Sequence, residues 1–265
     1  MIWKVGYLIG VFLLLTISVQ ASPGGTSNPT AVGDSPGLLA PEGSRYSTKT
    51  YLSSAEAWNR ALQYRRSEEF FAPTVLRYVQ YQLDESGVEK SRENGIWILS
   101  YDEKGRVDIQ VKSATKDGKD FTEERKRRLQ RGRANTTRMM DILSPFDELA
   151  QGVLKREQGE LKELKGVPVW EYPFELPKDE RTLVGTAWVS AWEGKPVGFQ
   201  YSVRPLPLFV DRIEVRVTFN QDQNPGRFEE IEYSFAASFL IFNWIGGGVA
   251  WLEGWILLPG RPKFQ

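Results

Sequence analysis

From about Gly152 to the C-terminus the chain alternates apolar and polar side chains, one segment after another. Trp170, Tyr172, Phe174 and Leu176 share one parity, with Glu171 and Glu175 on the other. Val197, Phe199, Tyr201 and Val203 oppose Gln200, Ser202 and Arg204. Ile213, Val215, Val217 and Phe219 oppose Arg212, Glu214, Arg216 and Thr218. Ile231, Tyr233, Phe235, Ala237 and Phe239 oppose Glu230, Glu232, Ser234 and Ser238. A period of two sends successive side chains to opposite faces of a strand. Links as short as Glu193-Gly194-Lys195 and Asn224-Pro225-Gly226 force antiparallel neighbours. The pattern predicts one large antiparallel sheet with one wet face and one apolar face.

Helices are expected upstream. Ser53 and Glu56 have the spacing of a capping box, so a helix should run from Ser53 to about Phe70, ended by Pro73. Trp58, Leu62 and Phe70 are its candidates for burial. The period then changes to two, with Val75, Val79, Tyr81 and Leu83 expected on one face of a strand. Ile96–Tyr101 and Arg106–Lys112 read as a hairpin turned by Asp102-Glu103-Lys104-Gly105. Thr122 to about Met140 reads as a second helix, with Glu123 and Glu124 well placed in its first turn. Ser144-Pro145 should open a third, short helix to about Ala150.

Tyr233–Leu252 is free of charge over 20 residues, long enough to cross a bilayer as a helix. Alternation over Ile231–Phe239, the β-branched and aromatic content and Gly246-Gly247-Gly248 favour a hairpin instead. Its strands are expected over Phe228–Phe242 and Val249–Leu258, with the glycines as the turn. A transmembrane β-barrel would alternate in the same way. The two soluble-type helices between strands and the ending Lys263-Phe264-Gln265 argue against it.

Composition narrows the chemistry. The chain has no histidine and no cysteine. This removes Ser-His-Asp and Cys-His centres, disulfides, and imidazole or thiolate metal ligands. Lys+Arg and Asp+Glu number 34 each, and that balance speaks against nucleic acid. No cofactor or metal is expected. At the N-terminus, Lys4 precedes the charge-free run Val5–Ile17, followed by Val19-Gln20-Ala21. Residues 1–21 read as a secretory signal cleaved after Ala21, with an uncleaved anchor as the alternative. Residues 22–45, rich in Pro, Gly and Ser, read as a disordered linker. Residues 46–265 then form one domain, and a monomer in the periplasm is expected.

The stretch Gly185-Thr186-Ala187-Trp188-Val189-Ser190-Ala191-Trp192-Glu193-Gly194-Lys195-Pro196-Val197 resembles a motif of the outer-membrane lipoprotein-sorting proteins. In that LolA/LolB-like superfamily the motif is a strand-turn-strand, G-x-x-W-(I/V)-D-x-x-(T/D)-G-x-P. Gly166-Val167-Pro168-Val169-Trp170 resembles the strand before it, and Ser190 stands where the family has Asp. The resemblance implies a mainly β fold with α: a single curved antiparallel half-barrel sheet with helices packed on its concave face. It also implies a periplasmic carrier or sensor of a hydrophobic ligand, such as lipoprotein acyl chains, and supplies no catalytic residue.

An apolar sheet face must be covered by something. Either the helices cover it fully, or an apolar groove remains for a ligand. The groove would be lined by Trp170, Tyr172, Trp188, Phe199, Tyr201, Phe219, Tyr233, Phe235 and Phe239. Arg125–Arg133 holds six basic residues in nine. Arg127, Arg128 and Arg131 are candidates for a partner protein's acidic surface or for transient contact with lipid headgroups, against a plain solvated helix face. Three functions stay open: a non-enzymatic carrier of a lipid or acyl ligand, an envelope interaction or sensor protein with a filled core, and a hydrolase using carboxylates alone.

Overall fold

The computed structural model describes residues 50–68, 70–103, 106–136, 144–178, 180–222, 224–239 and 242–258. The expected signal and linker, Met139-Met140 and Gly105 lie outside them. Of Phe239 and Arg131 only the backbone is described.

A meander builds most of the sheet: β8 (Val167–Lys178), β9 (Arg181–Ser190), β10 (Pro196–Arg204), β11 (Val210–Phe219), β12 (Phe228–Phe239) and β13 (Phe242–Glu253). Upstream lie β2 (Val75–Leu83), β3 (Glu89–Tyr101), β4 (Val107–Lys116) and the short β5 (Lys119–Asp120). The last long strand pairs with the first, Val249 opposite Val79, which joins the two groups into a 12-stranded antiparallel sheet. Its far edge is closed by β6 (Lys155–Arg156) and β7 (Glu160–Leu164), both paired with β8. The sheet does not close on itself and is an open half-barrel. A small separate pair joins β1 (Phe71–Ala72) to β14 (Ile256–Leu257).

Helix α1 (Ser54–Glu68) begins as expected: the Glu56 N–H donates to the Ser53 hydroxyl at 3.2 Å. The reciprocal half of the capping box is absent, because Glu56 pairs with Arg60 at 2.8 Å. α1 lies across the turns at one end of the sheet. The Leu52 N–H donates to the Ala191 carbonyl, Arg65 reaches the Gly226 carbonyl, and Arg227 pairs with Glu68 at 2.6 Å. Helix α2 (Thr122–Thr136) packs on β4.

Three expectations need correction. The third helix, α3, spans only Glu148–Gln151, because Asp147 and not Ser144 is its N-cap residue. Ser144 instead closes a turn: its N–H donates to the Asp147 carboxylate and its hydroxyl accepts from the Phe146 N–H. Next, Gly246-Gly247-Gly248 is not a turn. The β12–β13 turn lies between Phe239 and Phe242, and the glycines run through the middle of β13, paired on both sides. They are needed there for close approach: a Cβ on Gly248 would stand 2.7 Å from the Tyr233 hydroxyl, and one on Gly246 3.2 Å from the Phe235 ring. Last, Val75, Val79, Tyr81 and Leu83 do share a face of β2, but the opposite face is buried, with Leu76, Tyr78 and Gln80. Both parities of β2 mix apolar and polar side chains, Arg77 on one and Gln80 and Gln82 on the other, and the buried one faces Glu93 of β3 and Arg125 of α2.

Candidate functional site

The inner face of the sheet is the one the helices cover. Over β8–β12 it carries Tyr172, Phe174, Leu176, Phe199, Phe219 and Phe228, all buried. Trp58 of α1 presses on Tyr172 at 4.8 Å between ring centroids and on Phe146 at 4.9 Å. Phe146 in turn meets Phe219 at 5.7 Å. The Tyr172 hydroxyl donates to the Ser54 carbonyl at 2.5 Å, and the Trp170 indole N–H to the Leu52 carbonyl at 3.0 Å. The helical layer is therefore pinned by apolar packing and by hydrogen bonds from two of the very rings it covers.

The inner face of β2–β4 is different. Glu93 is 4% exposed and Arg125, from the first turn of α2, is fully buried. The Glu93 carboxylate accepts from the Tyr78 hydroxyl at 2.6 Å, the Gln80 amide at 3.1 Å and Arg125 Nε at 2.6 Å, with Arg125 Nη2 as a further donor. Arg125 Nη1 and Gln80 Oε1 lack a hydrogen-bond partner among the described residues. The Arg125 guanidinium also stands 5.6 Å from the Tyr78 ring centre. Burial pushes the Tyr78 hydroxyl far above its ordinary pKa, and the nearby Arg125 charge opposes that shift. Burial likewise raises Tyr201 and Tyr233.

The candidate groove residues do not all meet. Trp170, Tyr172, Phe199, Tyr201, Phe219, Tyr233 and Phe235 lie on the inner face. Trp188 does not. It stands opposite Glu171 in the register, so it points to the outer face, where its indole N–H donates to that carboxylate at 2.9 Å and the Arg216 guanidinium covers its ring. Trp251 repeats the arrangement with Glu230 at 2.8 Å. The outer face is therefore not purely wet: it carries two tryptophans, each donating its indole N–H to a carboxylate. A cleft of about 420 Å³ on it is lined by Gln200, Ser202, Glu214, Arg216, Glu232 and Ser234. A second, of about 660 Å³, lies between the start of α1 and Lys155-Arg156.

The basic run on α2 divides by helical position. Arg125 is consumed in the core. Arg128 is partly buried, pairing with Glu124 at 3.0 Å and covering the Phe121 ring. Lys126 pairs with Glu123 at 2.7 Å, and Arg127 is the most exposed of the four, with Glu124 at 3.8 Å. Sequence reasoning missed the Glu93–Arg125 cluster. Its signal was there, since Glu93 shares a parity with Gly95, Trp97 and Leu99. No group of residues suited to hold a metal ion occurs among the described residues. No helix among them is long and apolar enough to cross a membrane.

The stretch carrying the family resemblance is a strand-turn-strand over β9 and β10. Ser190 fills the Asp position by accepting the Glu193 N–H on its hydroxyl at 3.3 Å, and Gly194 takes φ 70° to finish the turn. No protein-family model matches the chain, and no curated protein matches it. Among solved structures it is similar to MucB in a complex with MucA(peri), with 9% identity and a TM-score of 0.22 over 74% of this chain and 92% of that one. It is also similar to a Pseudomonas aeruginosa MucA/MucB complex, with 8% identity and a TM-score of 0.24 over 76% of this chain and 94% of that one.

Proposed function

We propose that this chain is an exported, non-enzymatic envelope protein that acts by binding a partner protein, on a half-barrel filled by its own side chains. One observation carries the reading: Tyr172, Phe199, Phe219 and Leu176 are fully buried, Tyr172 against Trp58 and Phe219 against Phe146, so the strongest apolar rows are covered from within. The surface left for a partner on α2 is its solvent side, with Lys126 and Arg127. A photo-crosslinker introduced at the exposed position 123 should give one dominant protein adduct in cells, and Lys126→Glu with Arg127→Glu should abolish it. An adduct pattern indifferent to those reversals would remove the basic helix from the reading.

A second reading keeps a hydrophobic or acyl ligand, in line with the lipoprotein-sorting resemblance. It is favoured by where the ring contacts stop. Trp58 and Phe146 reach Tyr172 and Phe219, but among the described residues neither ring meets Tyr201 or Phe235. A ligand would lie against that end of the inner face. Native mass spectrometry of the purified chain separates the two: the bare polypeptide mass is expected from a filled core, and a retained lipid from a carrier.

A further inference from the structure

Away from α1, at the other end of the sheet, the β10–β11 turn is built from Leu206-Pro207-Leu208-Phe209. Leu208 is 80% exposed, Phe209 50% and Leu206 37%. Phe209 holds φ at 67°, a backbone region that glycine or asparagine enters at far lower cost than a bulky aromatic. It is nevertheless fixed there. Its carbonyl accepts from the Ser238 N–H at 2.9 Å, and the next residue, Val210, donates to the Pro207 carbonyl at 3.0 Å. A leucine 80% exposed contributes little to folding, and exposed apolar side chains grouped on one turn are typical of contact sites.

The charges around the tip are arranged to match. Arg204 and Arg212 flank it, both exposed on the outer face, and neither has an ion-pair partner among the described residues. The acid between them in sequence, Asp211, accepts the Ser238 hydroxyl at 2.6 Å. The neighbouring β12–β13 turn is bounded by the pair Phe239 and Phe242.

We infer that this turn inserts into the interface of an anionic phospholipid bilayer. Leu206, Leu208 and Phe209 enter below the headgroups, and Arg204 and Arg212 stay at the level of the phosphates. Three exposed apolar side chains are by themselves too few for a stable protein interface, which needs about 800 Å² per partner. A bilayer deforms around such a tip and supplies the negative charge the arginines lack. The inference is independent of the partner surface proposed on α2.

The absence of cysteine makes the test local. In the full chain, Leu208→Cys or Asp222→Cys carries one environment-sensitive dye; Asp222 is exposed in the β11–β12 turn at the α1 end. Vesicles of equal parts phosphatidylcholine and phosphatidylglycerol should brighten and blue-shift the dye at 208 and leave it unchanged at 222. Arg204→Gln with Arg212→Gln should raise the lipid concentration for half-response by about tenfold or more. Phe209→Asn suits the backbone and removes one of the three apolar side chains, so it should weaken the response of a dye at 208. An unresponsive dye at 208, equal responses at 208 and 222, or arginine variants that titrate like the parent would each overturn the inference.

Discussion

Over β8–β12 the inner face of the sheet is met by aromatic rings; over β2–β4 it is met by a guanidinium. In the first half Trp58 and Phe146 close on Tyr172 and Phe219, and the polar atoms involved reach backbone carbonyls. In the second half α2 offers few apolar side chains, with Leu129 buried, and is held through Arg125 on Glu93. The two covers differ in how their strength depends on partners. Apolar packing degrades in proportion to the area lost. A buried ion pair contributes little net stability when intact, yet losing one member leaves a desolvated charge.

The largest effect is expected from the aromatic cover. Trp58→Ala removes the ring that joins α1, Phe146 and Tyr172. It should cost about 3–5 kcal/mol, read as a lower denaturation midpoint for the whole domain. If α1 loosened while the sheet kept its midpoint, the aromatic half would not be one cooperative unit with its cover.

The charged half should break in a different manner. Arg125→Met leaves Glu93 buried without its cation and should cost roughly 3 kcal/mol. Adding Glu93→Leu should recover most of that loss, since replacing a buried pair by apolar groups is often close to neutral. Recovery has no counterpart for Trp58, so the double variant sharpens the contrast. If Arg125→Met and the double variant were equally destabilised, the cluster would be acting through packing and not through charge.

The difference between the halves also decides what could be read from the sequence. In β8 and β10–β12 one parity is apolar and the other polar or charged, so their faces, neighbours and most of their core follow from alternation alone. In β2 both parities mix apolar and polar side chains, and the buried one, Leu76-Tyr78-Gln80, faces an arginine on a helix some forty residues away in sequence, about which local pattern says nothing. Gly246-Gly247-Gly248 misled for a related reason. Three glycines favour a turn locally, but here they make room for Tyr233, Phe235 and Tyr81 from neighbouring strands. Trp188 was misplaced because its own strand carries no charge between Leu183 and Ser190; its face is set by Glu171 and Arg216 across the ladder. The apolar tip at Leu206–Phe209 was visible as letters, but its exposure and the positive φ of Phe209 are properties of the fold.

The smallest effect separates the halves by pH. Buried tyrosines occur in both: Tyr78 beside the ion pair, Tyr172 and Tyr201 in the aromatic half. Burial raises all three above the ordinary tyrosine value of 10.0, and it pushes Tyr101, whose hydroxyl donates to the Pro73 carbonyl, up to about 12. A raised pKa for a group that is neutral when protonated means folding favours the protonated form. The stability this confers is complete below the unfolded value and is lost as pH rises through the folded one. The domain should therefore hold its melting temperature up to about pH 10 and lose it progressively towards pH 12 and beyond. The buried rings should add their tyrosinate absorbance late, well above the ordinary tyrosine value of 10.0. In Arg125→Met the late stage should move further up for Tyr78, because the one nearby charge that favours its ionised form is gone. Tyr201 is raised by burial alone and should not move. Coincident shifts at both positions would mean that the charged cover reaches across the whole inner face, and the two halves would then be one environment.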